Sequence, residues 1–222
     1  MKTYQVNKTA KTPEMLGDWN GEVWGSVTGV TLDDFHEQSS DHHPNVQVKM
    51  TYDDAGIYIH FRVQDQYVIA KFNERQGMVC RDSCAEFFVQ PVEGKGYFNF
   101  EINCGGNVLL YHTTKPRQID EPVSNEWLDQ MKIYHSLPAV IKKEIVEPTV
   151  WQIEYFVPWG LFEAYVGELS EQKPKEGKGV KWRGNFYKCA DESSHPHWGM
   201  WNDVGKKLDF HQPDKFGEIV FE

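Results

Sequence analysis

The chain has 222 residues, 40% of them hydrophobic and 14% aromatic, which is enough to bury a core and too apolar for global disorder. Its 23 lysines and arginines face 33 aspartates and glutamates, and a net charge of -10 argues against nucleic acid or an anionic membrane as the main partner. The opening MKTYQVNKTAKTPEML has no secretory apolar run, and no later stretch is long enough for membrane insertion. The expectation is a soluble cytoplasmic protein, or a periplasmic or cell-surface one if a leader has been removed.

Trp19-Asn20-Gly21 reads as a turn, followed by a short strand over residues 22–25 that carries Val23 and Trp24. Residues 33–45, DDFHEQSSDHHPN, form a polar loop whose three histidines admit zinc but equally suit a solvated loop. Residues 46–52 alternate Val46, Val48 and Met50 with Gln47 and Lys49, a half-buried strand. Asp53-Asp54-Ala55-Gly56 turns the chain into residues 57–65. There Ile57, Ile59, Phe61 and Val63 face one way, and Tyr58, His60, Arg62 and Gln64 the other. A long connection through Tyr67, Phe72 and Gly77 then reaches Arg81.

Residues 81–103, RDSCAEFFVQPVEGKGYFNFEIN, predict two strands joined at Gly94-Lys95-Gly96. In the second, Tyr97, Asn99, Glu101 and Asn103 share one face while Phe98, Phe100 and Ile102 share the core face. The polar face must meet solvent, a partner or a ligand. Carboxylates and amides on a rigid sheet beside aromatic rings suit a sugar-sized polar ligand, and they also suit an ordinary solvated surface.

A strand over 108–112 follows, then a polar excursion holding Pro116, Pro122 and Trp127. Further strands are predicted over 131–134, 140–146 and 150–157, and Pro158 opens a helix over 159–166, where its missing N–H costs nothing. Residues 167–179 form a charged loop, 180–189 a strand, 191–201 a loop rich in histidine and tryptophan, and 216–221 a closing strand. These elements predict an all-β fold, a single antiparallel β-sandwich of jelly-roll or immunoglobulin-like type with one short helix. Residues 1–222 would make one domain, with 1–20 an extension packed on it.

His195, His197, Trp198 and Trp201 gather in SSHPHWGMWNDVG, where an indole can offer a flat platform to a sugar ring or simply cap the core. His195-Pro196-His197 has metal-ligand spacing but lacks identifiable third and fourth ligands. Glu86 and Glu101 could pair for glycoside hydrolysis. Asp33, Asp34, Asp53 or Asp82 could serve structural calcium, although none has EF-hand spacing and no cofactor is required. Cys80, Cys84, Cys104 and Cys189 read as free buried thiols, with one disulfide as the competing pattern.

The ordered series YDDAGIYIHFRVQD, DSCAEFF, YFNFEIN, WQIEYFVPW and DKFGEIVF resembles the family 9 carbohydrate-binding modules over residues 24–221, above all the family-9-like proteins of Bacteroides relatives. The resemblance implies a DOMON-like sandwich, often with structural calcium, that binds glucose- or xylose-type sugars between two tryptophans. By position, Glu86 matches a carboxylate that binds sugar hydroxyls, Trp201 one slot tryptophan and Asn103 an adjacent asparagine. The second slot tryptophan falls on Val79 or Cys80, and the family's arginine falls on Glu101, so the sugar-binding mode should differ.

The function expected is noncatalytic carbohydrate binding of plant- or host-derived glycan fragments, through Trp201, Trp198, Glu86, Asn103, Glu101 and Tyr67, with Phe72 a further candidate wall. The competing readings are a glycoside hydrolase or metal-dependent enzyme, and a haem-binding DOMON-type module.

Overall fold

The computed structural model describes residues 1–118, 122–175 and 177–222; residues 119–121 of the polar excursion and 176 of the charged loop lie outside the described residues. In chain order the first strands are β1 (Thr3–Val6), β2 (Val30–Leu32), β3 (Asp34–Phe35), β4 (Asn45–Tyr52), β5 (Gly56–Asp65), β6 (Val68–Ala70), β7 (Cys84–Gln90) and β8 (Tyr97–Asn103). Then come β9 (Val108–Thr113), helix α1 (Asn125–Leu128), β10 (Lys132–His135), β11 (Ile141–Ile145), β12 (Thr149–Pro158), helix α2 (Trp159–Val166), β13 (Val180–Cys189), β14 (Trp198–Met200) and β15 (Gly217–Phe221). One sheet runs β1-β15-β13-β7-β8-β9, with β14 joining β13 to β3; a second runs β10-β12-β5-β4-β2. β6 and β11 pair separately.

The two sheets close on one another through the alternating apolar residues. Val46, Val48, Met50 and Tyr52 of β4 stand opposite Val63, Phe61, Ile59 and Ile57 of β5, and β12 adds Trp151, Ile153, Tyr155 and Val157. The facing sheet offers Phe87, Phe100 and Phe186. Phe186 stacks on Phe87 at 4.9 Å and reaches across to Phe61 at 6.0 Å, ring centre to ring centre. These rings fill the intersheet space in which a haem module would hold its group.

The fold is the antiparallel sandwich expected from the sequence, with details that local pattern did not convey. β1 pairs with β15 in parallel, Tyr4 opposite Ile219. The predicted strand over 22–25 is a turn of 3-10 helix at Trp24–Ser26, and α1 is a second short helix. Trp24 turns back to cover the outer face of the second sheet, where its Nε1–H donates to Glu154 at 2.8 Å beside the Gly17 N–H, also at 2.8 Å. Trp19 and Trp24 both meet the His60 ring edge-on, so an indole lid replaces solvent over this face. α2 follows Pro158 as predicted and ends at Gly167, whose φ of +84° suits a residue without a side chain.

The β7–β8 turn is the predicted glycine reversal. Gly96 has φ +82°, and a Cβ there would sit 2.5 Å from the Thr113 carbonyl oxygen. The outer face of this hairpin is the surprise: Cys84, Glu86, Phe88, Tyr97, Asn99, Glu101 and Asn103 are all buried. The segment from Val204 to Phe216 and the segment from Phe72 to Asp82 fold over it, making two small secondary cores. Among the described residues no helix is long and apolar enough to cross a membrane.

Candidate functional site

Between the two covering segments the face stays open as a hollow of about 270 Å³, lined among others by Cys80, Glu86, Glu101, Asp191, Trp198 and Phe210. Larger concavities exist, such as one of about 520 Å³ over Lys8–Thr12 and Asp53–Ala55, but that one carries no aromatic ring and no buried charge. The hairpin hollow has both, which is the pattern of a specific ligand site.

Its floor is set by strand register. Glu86 of β7 and Glu101 of β8 are directly opposite partners, so their side chains rise next to each other from one sheet surface. They are only 2% and 4% exposed. Asn99 Nδ2 donates to Glu101 Oε1 at 2.8 Å and Cys189 Sγ donates to Glu86 Oε1 at 3.0 Å. Glu86 Oε2 and Asn99 Oδ1 are buried with no partner among the described residues. Burial, reinforced for Glu86 by the charge of Glu101, raises both carboxyls above their ordinary range. Two neighbouring carboxylates away from water cannot both ionise cheaply, so the pair holds a proton toward neutral pH.

The walls are aromatic. Trp198 is half-buried and steered by its Nε1–H, which donates to Asp191 Oδ1 at 2.8 Å. Phe210, also half-buried, is stacked on Tyr187 at 4.0 Å with an interplanar angle of 8°, which fixes the ring. At the rim Arg117 donates from Nε and Nη2 to Asp209 Oδ1 at 2.9 and 2.6 Å, tying the excursion after β9 to the segment that carries Phe210.

Of the residues expected at the site, Glu86, Glu101 and Trp198 line the hollow and the others do not. Trp201, expected as the platform, is 3% exposed and packs in the main core between Tyr4 and Phe186. Its backbone N–H bonds the Phe186 carbonyl, so the indole is turned inward. Asn103 is consumed structurally: Nδ2 donates to Asp82 at 2.8 Å and to the Phe72 carbonyl at 2.9 Å, and Oδ1 accepts from the Gly105 and Asn107 N–H groups. Tyr67, with φ +63°, stacks on His195 at 3.6 Å and is absent from the lining. Val79 is buried under the floor while its neighbour Cys80 reaches the hollow, so no aromatic stands where the family's second tryptophan would. Phe72 packs over the same secondary core.

His195 and His197 do not line the hollow, and His197 belongs to a buried polar cluster around Lys188. His197 Nε2 lies 2.7 Å from Lys188 Nζ, and that ammonium lies 3.4 Å from Asp65, which also takes His42 at 2.8 Å. Burial together with the Lys188 charge lowers His197 to about 3. Burial alone would raise Asp65, yet Lys188 and His42 hold it well below the usual carboxylate range. His197 is thus committed to an ammonium, which leaves His195-Pro196-His197 without the free imidazoles a metal enzyme needs. The aspartates considered for calcium have protein partners: Asp33 and Asp34 take Lys2, Asp53 caps its turn, and Asp82 accepts from Lys71 N, Phe72 N and Asn103. Among the described residues, Cys84, Glu86 and Cys189 are the group whose ligand atoms lie within 4.8 Å of one another. All four cysteines are free thiols.

Phe210, Arg117 and Asp191 were missed from the sequence. Phe210 is an isolated ring in the polar run KKLDFHQPD, which is the one local hint available.

Comparison with known proteins identifies the family and the fold. A family model described as carbohydrate-binding family 9 matches residues 25–221. No curated protein is matched by the sequence. A crystal structure of a Bacteroides uniformis protein, provisionally assigned to carbohydrate binding, is similar with a TM-score of 0.85 and 26% identity, covering 100% of this chain and 99% of that one. A family 9 module of Caldicellulosiruptor kristjanssonii in complex with cellotriose gives a TM-score of 0.66 at 15% identity, over 100% of this chain and 94% of that one. The same organism's module with glucose gives 0.65 at 15%, over 100% and 96%. With nearly its whole length matched, the chain belongs to carbohydrate-binding family 9.

Proposed function

We propose that the protein binds carbohydrate, without catalysis, in the hollow between Trp198 and Phe210. The observation that carries this reading is the pairing of two fixed aromatic faces with a buried floor whose Glu86 Oε2 has no partner. A buried acceptor left unpaired costs about 1–3 kcal/mol, and a sugar hydroxyl entering over it removes that cost. The aromatic faces take the C–H side of the ring while the mixed floor, one carboxyl protonated and one ionised, can both accept from and donate to hydroxyls. A hollow of this volume suits one or two sugar units rather than an extended chain. Structural neighbours in complex with glucose and cellotriose support a glucose or β-glucan fragment as the class of ligand.

Glu86 and Glu101 stand together on one floor rather than on opposite sides of a bound bond, and the two-carboxylate hydrolytic mechanism needs the latter. The test is a titration with glucose, xylose and cellobiose, followed by tryptophan fluorescence and calorimetry. Trp198→Ala and Glu86→Gln should each weaken binding by at least about tenfold, the loss of one stacking or charged hydrogen-bond contact. If no sugar changes either signal, or Trp198→Ala binds as the parent does, the reading is wrong.

A further inference from the structure

The floor of the hollow holds a group of side chains that sugar recognition leaves unexplained. Cys84 of β7 stands directly opposite Cys189 of β13, and Glu86 follows two residues along β7 on the same face. All three are buried, and their nearest ligand atoms lie within 4.8 Å of one another, with Cys189 Sγ at 3.0 Å from Glu86 Oε1. The Cys84 thiol meets the Cys189 thiol and makes a long contact to the Ala85 carbonyl, at 3.9 Å, and Glu86 Oε2 is buried without a partner among the described residues.

We propose that Cys84, Cys189 and Glu86 form a binding site for a thiophilic divalent cation, zinc in the first instance, beneath the sugar-sized hollow. Two thiolates and a carboxylate are a ligand set that zinc accepts and calcium does not, because calcium takes oxygen almost alone. Zinc–sulfur bonds of about 2.3 Å and zinc–oxygen bonds of about 2.0–2.2 Å put tetrahedral ligand atoms about 3.6–3.8 Å apart, so the 3.0 Å Cys189–Glu86 contact must open while the other separations, all within 4.8 Å, adjust by side-chain rotation. Each thiol, and Glu86 when protonated, gives its proton to solvent as the cation enters, and no electron is transferred. Glu86 and Cys189 also line the hollow beside Cys80 and Asp191, so a fourth position open to it would take water or a ligand hydroxyl. Two thiols on adjacent strands could instead close a disulfide, and the experiment separates the two.

The probe is Co²⁺ added to full-length protein that has been reduced and stripped with chelator. The proposal expects one equivalent to bind, with thiolate-to-cobalt charge-transfer bands and the intense visible bands of a tetrahedral site, both bleached by one equivalent of Zn²⁺. Cys84→Ser and Cys189→Ser should each weaken binding by at least about 100-fold, the upper end of what even second-shell changes achieve. Cys104→Ser should keep the bands, because that thiol lies in the intersheet core and donates to the Ile69 carbonyl. X-ray absorption of the zinc-loaded parent, which needs no variant to fold, should show two sulfur neighbours and light atoms. Absence of charge-transfer bands at stoichiometric cobalt, their survival in either Cys84→Ser or Cys189→Ser, or a Cys84–Cys189 disulfide with no metal uptake after reduction would each overturn the proposal. The proposal shares Glu86 with the carbohydrate reading. Sugar titration of the metal-free protein is read separately by fluorescence, so either can fail alone.

Discussion

Replacing Glu101 with glutamine should change how the stability of the fold depends on pH, and the sign follows from burial. Glu101 is raised from an ordinary value of 4.5 to about 7, first by burial and then by the charge of Asp191, against the hydrogen bond from Asn99. Between those two values the native protein holds a proton that the unfolded chain has released, so stability must fall as pH rises through this window. Each tenfold change in proton affinity is worth about 1.4 kcal/mol, so the full effect is about 3 kcal/mol, lost between about pH 4.5 and 7 and constant above. Glu101→Gln keeps the shape and an acceptor for Asn99 but removes the titration. Burial holds His60 and His197 at about 3 and His211 at about 4. These groups act in the opposite direction, destabilising the fold as pH falls below the ordinary histidine value. They are common to both proteins and drop out of the difference. Urea unfolding of parent and variant at pH 5, 6, 7 and 8 gives that difference directly. The variant should gain on the parent as pH rises, by about 3 kcal/mol if the acid pair titrates as a unit through Glu101 and by less if Glu86 carries part of it. Two curves separated by a constant offset across this range would refute the reasoning.

Trp201→Ala should destabilise the protein by about 3–5 kcal/mol, as for other buried large-to-small changes, because the indole fills core space beside Tyr4 and Phe186. Sugar affinity of the protein that remains folded should be unchanged, which calorimetry below the unfolding temperature will show. Asp65→Asn leaves the fully buried Lys188 ammonium without its carboxylate, and should cost about 3–5 kcal/mol in urea unfolding. The double variant Asp65→Asn/Lys188→Met should recover a large part of that loss, and a double variant no better than the single one would contradict the ion-pair account.

The strands of the main core were legible because each carries its own evidence. Ile57, Ile59, Phe61 and Val63 alternate with polar residues, and the structure seats all four against the facing sheet. Pro158 before the apolar WGLF announced α2 in the same local way. β1 was not legible: TYQV is short, and only its pairing with the far end of the chain makes it a strand.

The site was half legible for a related reason. Alternation reports which residues share a face, and it rightly put Glu86 and Glu101 together above Phe87 and Phe100. It says nothing about what covers that face. Whether Asn103 meets ligand or Asp82, and whether an indole near residue 200 lies outward or inward, depends on contacts with residues tens of positions away. Trp198 and Trp201 are three apart in one loop, yet Trp198 is half-exposed and held by Asp191 while Trp201 lies under Tyr4 and against Phe186. β14 supplies the reason. It pairs Trp198 with Cys189 and Met200 with Tyr187, so Trp198 stands level with the floor cysteine. The chain then leaves the ladder, and Trp201 enters the core where its N–H bonds the Phe186 carbonyl. Three residues were enough to exchange a ligand wall for a core filler, and the backbone pairing that decided it involves a strand too short to announce itself in the sequence.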